Sequence, residues 1–270
     1  MRNAITNCRQ PLESASGNSF SFLCCVIGFE ALARWIHPQR GSIPPTDFIP
    51  VAEDTGLILL LGEWVLREAC RQLRVWDQVC PNTRLMVSVN LSAKQLEQKD
   101  LVELVESILQ ESGLEPSRLK LEITESVLMS NAEQSIVLIQ QLRELGICIS
   151  IDDFGTGYSS LSYLHRFPID TLKVDRSFVS GLSSAGVNTE IVQTIIMLAH
   201  NLGIDVIAEG VETNEQLAQL QQMNCGFGKG YFYSKPLDHQ RAAELIKTLA
   251  PPTCEVSAPN TAVEAVRSGL

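Results

Sequence analysis

Six side chains with oxygen donors stand near the ends of short β-prone runs: Glu30, Asn90, Glu122, Asp152, Asp153 and Glu209. The stretch Ile147–Ser160, ICISIDDFGTGYSS, holds two of them side by side. A β-branched run leads there into Asp152 and Asp153, and a turn follows with Gly155 and Gly157 around Thr156. Val, Ile and Thr favour strands, and the glycines permit tight or left-handed backbone. Successive strand residues face opposite ways, so both acids share a site only where the strand is ending. Adjacent carboxylates repel, and a divalent cation is the usual means of keeping both ionised. A solvated turn at a strand end is the plain alternative.

Carboxylate and amide oxygens are hard ligands, which suit Mg²⁺ or Mn²⁺ better than zinc. Six such groups exceed what one Mg²⁺ draws from protein, because that ion keeps several waters. Two ions about 3.5–4 Å apart fit better; they would activate a water and clamp both oxygens of an in-line displacement. That chemistry is phosphoester hydrolysis. Lys173, between Leu172 and Val174 in TLKVD, adds a cation to deprotonate or orient the water, or to steady the leaving oxygen. Each group alone has a plainer reading. Lys173 would be a salt-bridge partner, Glu122 a solvated strand-end charge, Asn90 a turn former, and Glu30 with Arg34 a paired edge. Independent accidents seldom place a carboxylate or amide late on five separate strands.

The elements that must position these groups follow from periodicity. Strands are expected over 22–36, 85–91, 119–124, the run into Asp152, 171–175 and 204–208. In LKLEIT, for example, Leu119, Leu121 and Ile123 alternate with Lys120, Glu122 and Thr124. Helices are expected over about 54–79, 93–111, 132–145, 188–202, 214–223 and 239–249, from apolar residues at helical spacing. A Pro-rich loop is expected over 41–50, and a Gly-rich segment, 226–230, leads into 231–234. Alternation of strand and helix with short links calls for a parallel sheet of βα units. An open doubly wound sheet and a (β/α)8 barrel both suit the length. An open sheet gathers ligands from few strands, whereas a barrel brings the C-terminal ends of all its strands to one mouth. The acids therefore select an α/β fold of the (β/α)8, TIM-like barrel type over 22–250. Residues 1–21 are irregular, and 251–270 read as a disordered tail.

The bulk properties exclude several classes. The 270 residues carry a net charge of -10 with no Lys/Arg block, which argues against binding nucleic-acid polymers or anionic membrane. Eight cysteines form no CxxC pair, as expected of reduced thiols in the cytoplasm. The four histidines share no metal-ligand spacing. Phe22–Phe29 is far shorter than the ~20 residues that span a bilayer, and it lacks the flanks of a signal peptide.

The motifs resemble a known family. GFEALARW (28–35) is similar to the name-giving motif of the EAL domain, the bacterial cyclic-di-GMP phosphodiesterase. The likeness continues through IPPTDFIPVAEDTGLI (43–58), VNLSAKQL (89–96), LEITESVLM (121–129), DDFGTGYSSLSYL (152–164), LKVDRSFV (172–179), AEGVET (208–213) and GYFYSKPL (230–237). This resemblance implies a barrel whose first strand runs antiparallel to the rest. It implies hydrolysis of cyclic di-GMP to linear pGpG, with two Mg²⁺ or Mn²⁺ required and Ca²⁺ inhibitory, in bacterial signalling of the kind that governs biofilm. By position, the metal ligands are Glu30, Asn90, Glu122, Asp152 and Asp153, with Glu209 assisting metal or water. Lys173 positions the water. Glu125 holds the DDFGTGYSS loop, through which a homodimer tunes activity. Leu32, Arg34, Asn90, Asp175, Glu212, Lys229, Tyr231, Ser234 and Pro236 fall where the family contacts substrate, Arg34 at a phosphate as a charge-assisted fork.

Two departures stand out. The family usually has Gln where Lys229 stands. Its first strand carries a Gln-Pro pair about fourteen residues before the motif glutamate, whereas Gln10-Pro11 lies twenty before Glu30, so the first strand is displaced within 1–21 or truncated. No GGDEF-like or sensory segment is visible, and the domain either stands alone or belongs to a longer protein. A catalytically impaired cyclic-di-GMP receptor and a barrel enzyme for another phosphate ester are the rival readings.

Overall fold

The structure, a computed structural model, describes residues 26–81, 83–157, 161–182 and 186–249. Seven strands build one sheet: β1 (Gly28–Ala31), β4 (Met86–Asn90), β5 (Leu119–Thr124), β6 (Cys148–Phe154), β7 (Thr171–Val174), β8 (Asp205–Glu209) and β9 (Phe227–Lys229). They lie in chain order and every pairing between them is parallel. A separate antiparallel hairpin, β2 (Trp35–His37) with β3 (Gly41–Ile43), projects after β1. The sheet curls until its two end strands approach: Lys229 on β9 donates a hydrogen bond to Glu30 on β1. The result is an incomplete TIM-like barrel. Residues 1–21, to which the antiparallel first strand is assigned, and the tail 251–270 lie outside the described residues.

Alternation along each strand sorts side chains between two environments. The registers align Glu30 with Ser88, Asn90 with Glu122, Thr124 with Asp152, and Glu209 with Lys229, which puts the polar set on one face. The alternate residues, such as Val87, Leu121, Ile149 and Leu172, are fully or almost fully buried against the surrounding helices. Leu66 and Leu73 of the helix Leu57–Val79, and Ile108 of the helix Leu101–Ser112, are equally buried. Each such side chain contributes roughly 1.5–3 kcal/mol. The polar set therefore lines the barrel interior while the apolar set glues the helices on.

At the N-terminal ends of the strands the charges are structural. Arg118, almost fully buried, forks onto both oxygens of Asp77 at 2.8 and 2.6 Å and donates to the Leu85 carbonyl at 2.8 Å. This ties the approach to β5 to the helix before β4.

Of the segment expected to be one long strand, 22–36, only Gly28–Ala31 joins the seven-stranded sheet among the described residues. The chain then leaves the sheet at Leu32–Arg34 and forms the β2–β3 hairpin, with the Trp35 ring edge-on to Phe48 at 5.9 Å. The expected Pro-rich loop of 41–50 is mostly helical, over Pro45–Thr55. Proline is tolerated in a first helical turn, where its missing N–H has no partner to lose. Gly56, at φ 78°, ends that helix and separates it from Leu57–Val79. The last strand, Phe227–Lys229, lies within the Gly-rich segment, and Gly230 turns the chain away after it. A Cβ there would lie 2.1 Å from the Val211 carbonyl oxygen.

Candidate active site

The C-terminal ends of the strands bring the predicted acids to one place. Lys173, 1% exposed, projects inward from β7. Its Nζ lies 2.6 Å from Glu122, 2.9 Å from Asp152, 2.8 Å from Glu209 and 3.9 Å from Glu30. Lys229 Nζ donates to Glu30 Oε2 and lies 3.0 Å from Glu209 Oε1. Asn90 Nδ2 donates to Glu30 Oε1 at 2.7 Å. Glu30, Asn90, Glu122, Asp152, Lys173, Glu209 and Lys229 thus form one continuous network drawn from all seven sheet strands.

Asp153 reaches the same rim by a local distortion rather than by a strand end. β6 continues through Phe154, past the acidic pair. The register with β7 shifts between Ile151 and Phe154, and Asp153 adopts φ 53°. That left-handed residue places two consecutive carboxylates near one rim, which a regular pleat forbids. Asp153 N–H donates to Asp152 Oδ1 at 2.9 Å.

Electrostatics follow from crowding five carboxylates around two ammoniums. Burial pushes Glu122 up to about 7, and neighbouring Glu30 and Asp152 add to this against Lys173. Burial raises Asp152 as well. Burial would also raise Glu209, but Lys173 and Lys229 outweigh it and hold Glu209 at about 2. Glu30 is lowered for the same reason. Burial works against the charge on Lys173, but the acids around it hold it well above an ordinary lysine. The acids around Lys173 therefore favour its protonated form.

The remaining predicted residues lie in the segments that follow β1, β5, β7, β8 and β9. Buried Glu125 accepts from Gly155 N–H at 2.9 Å, pinning the start of the loop after Asp153. Gly155 is at φ 95° and faces the Phe178 ring. Tyr158–Ser160 of that loop lie outside the described residues. Asp175 caps the helix Arg176–Ser180 through Ser177 N–H at 2.9 Å. Glu212 pairs with Arg176 at 2.8 Å. Arg34 is half-buried and donates to the Ala33 carbonyl at 3.0 Å; Leu32 beside it is also half-buried. Tyr231 and Pro236 are exposed, and Ser234 is half-buried with its hydroxyl on the Lys235 carbonyl. Sequence reasoning did not single out Arg176; its position directly after Asp175 was the available signal.

The donor chemistry fits a hard divalent cation, since three carboxylates from three strands already converge on a single positive atom. Among the described residues, however, no three His, Cys, Asp or Glu side chains are arranged as a ligand set around one another. They converge on the lysine nitrogens instead.

The sequence profile of the EAL domain matches residues 25–236. The chain is 47% identical over 218 residues to the cyclic di-GMP phosphodiesterase NbdA of Pseudomonas aeruginosa, covering 81% of this chain and 28% of that protein. It is 42% identical to the cyclic di-GMP phosphodiesterase PdeR of Escherichia coli, covering 78% of this chain and 32% of that one. It thus spans about a third or less of the length of these relatives. A solved structure of the PaMucR phosphodiesterase in complex with c-di-GMP superposes with a TM-score of 0.81 at 41% identity, covering 90% of this chain and 93% of that one. Among the described residues, no helix is long and apolar enough to cross a membrane.

Proposed function

This chain belongs to the EAL-domain family, and on that premise we propose that it hydrolyses cyclic di-GMP to linear pGpG with the aid of divalent Mg²⁺ or Mn²⁺. The observation that carries this reading is the convergence of Glu122, Asp152 and Glu209 on one buried cation, with Glu30 and Asn90 linked at the same rim. Glu30, Asn90, Glu122, Asp152, Asp153 and Glu209 would hold two ions. When bound, these supply the Lewis acidity that activates water and stabilises the phosphorane-like charge.

The chain's own groups do the rest. Lys173, kept protonated by the acids, orients the attacking water or steadies the leaving oxygen by donating a hydrogen bond from a fixed position. Glu125 fixes the backbone at Gly155 and so the placement of Asp153. Arg34, at the mouth, exchanges its carbonyl partner for a phosphate oxygen. Glu212 and the Tyr231, Ser234 and Pro236 segment would border the space for guanine and ribose, with Leu32 and Asp175 as further substrate contacts. Ca²⁺, larger and less exacting in geometry, is expected to inhibit. A homodimer through the region after Asp153, an attached sensory or GGDEF domain in a longer parent protein, and a cytoplasmic setting belong to the same reading.

The test is to incubate purified protein and cyclic di-GMP with Mg²⁺ or Mn²⁺ and follow linear product. E30A and D152A are expected to abolish turnover. Light scattering that finds only monomer at high concentration would remove the dimer. One observation favours a second reading, a receptor that binds without cleaving: Lys229 already occupies oxygens of Glu30 and Glu209. Tight dinucleotide binding without turnover in either metal would select it.

A further inference from the structure

We propose that Lys229 is a tethered counterion that competes with a divalent ion for Glu30 and Glu209, and so sets how much metal the site demands. This rests on the reading of the acidic rim as a divalent-metal site.

The two carboxylates stand on strands at opposite sides of the barrel seam. β9 and β1 are the two ends of the sheet order and share no backbone pairing. Lys229 is in register with Glu209 on β8, so its side chain enters the interior beside that acid. It also reaches across the seam to Glu30, 199 residues away. Its side chain is 23% exposed, against 4% for Glu30 and 16% for Glu209. Lys229 is therefore the most accessible member of this three-residue contact.

Glu209 Oε1 contacts both Lys229, at 3.0 Å, and Lys173, at 2.8 Å. The same oxygen cannot also accept a divalent ion at bonding distance without losing one of them. Lys173 is enclosed by three carboxylates and is the fixed member. Lys229 touches two, hangs from an edge strand of three residues, and retains a solvent-facing side. It is the cation that yields. Metal entry at Glu30 and Glu209 is then an exchange of one positive charge for another rather than a neutralisation of bare acids. Like charges at this separation repel strongly in a partly buried site.

The experiment is calorimetric titration of Mn²⁺ into metal-stripped wild type, K229Q and K229R, with melting curves in chelator and in Mn²⁺. The expected result is Mn²⁺ binding roughly tenfold or more tighter in K229Q, or an additional ion per chain. K229R, which keeps the charge, stays close to wild type. In chelator K229Q melts below wild type, and Mn²⁺ restores it by a larger increment. If Lys229 only bridged the seam, K229Q would lose the same stability with and without metal, and its Mn²⁺ affinity would be unchanged; that result overturns the proposal. Equal affinity and stoichiometry in all three proteins overturns it alone. Absence of Mn²⁺ uptake by every protein overturns it together with the metal site on which it rests.

Discussion

Asp153 offers a perturbation whose sign differs between stability and metal response. Its φ of 53° and the register shift on β6 place a non-glycine residue in the left-handed region. Alanine there bears about 1–2 kcal/mol of steric strain. Glycine escapes that strain but gives back about 0.5–1 kcal/mol through the greater freedom of its unfolded chain. D153G should therefore be more stable than D153A by roughly 0.5–1 kcal/mol. At about 2–4 °C per kcal/mol for a domain of this size, the gap in melting temperature is about 1–4 °C. Charge acts separately. Burial, with repulsion from Asp175 and Glu209, raises the Asp153 carboxyl above its ordinary value, so its ionised form is unwelcome without metal. D153N keeps the volume and tolerates left-handed backbone, and it should melt at or above wild type in chelator at neutral pH. The assay is thermal unfolding by circular dichroism, in chelator and then in Mn²⁺. All three variants should show a smaller Mn²⁺-induced rise than wild type, because an oxygen ligand is gone or weakened. A D153A protein as stable as D153G would refute the left-handed assignment and, with it, the explanation of how adjacent acids share a rim.

Three further outcomes are expected. K173M removes the ammonium that three buried carboxylates share, and in chelator it should lose about 3–5 kcal/mol, part of it recovered by Mn²⁺ or by acidification; a variant within 2 °C of wild type at pH 8, roughly half a kcal/mol, would discount the network. Glu122 binds its proton more tightly folded than unfolded, so its contribution is complete below about pH 4.5 and is lost as pH rises through about 7. Metal-free melting temperature should accordingly fall between pH 5 and 8 in wild type, by an effect of order 3 kcal/mol, and E122Q should flatten that slope; parallel curves would contradict it. E125A deletes a carboxylate acceptor for Gly155 N–H, a bond of about 1.5–3 kcal/mol. Amide exchange at Gly155 should quicken and turnover fall while the global melting point moves less; unchanged exchange would mean that Glu125 does not hold the loop.

The chemistry-bearing residues were legible from one dimension because the strands announce them. In LKLEIT and LMVSVNL, polar residues alternate with apolar ones, and a parallel strand with both faces dry would not tolerate Lys120, Glu122 or Asn90. The position of each acid late in its strand then implied a common mouth. Local pattern failed where the chain leaves the sheet. An apolar run such as 22–36 looks like one strand whether its side chains face helices, as Phe29 does, or a projecting hairpin, as Trp35 does. The prolines of 41–50 read as a loop, yet Pro44 caps the helix and Pro45 opens it, places fixed only by where the helix starts, while Pro50 lies inside it.

What the sequence determined by itself was the inventory: hard oxygen donors, one inward lysine, and the periodicities that demand a parallel sheet of βα units. Three-dimensional packing alone decided which charges meet. No spacing reveals that Lys229 spans 199 residues to Glu30, because β1 and β9 come together only when the whole sheet has curled. Nor does the pair DD reveal that the strand runs on through it. That depends on the backbone angle at Asp153, which the neighbouring strand's register imposes.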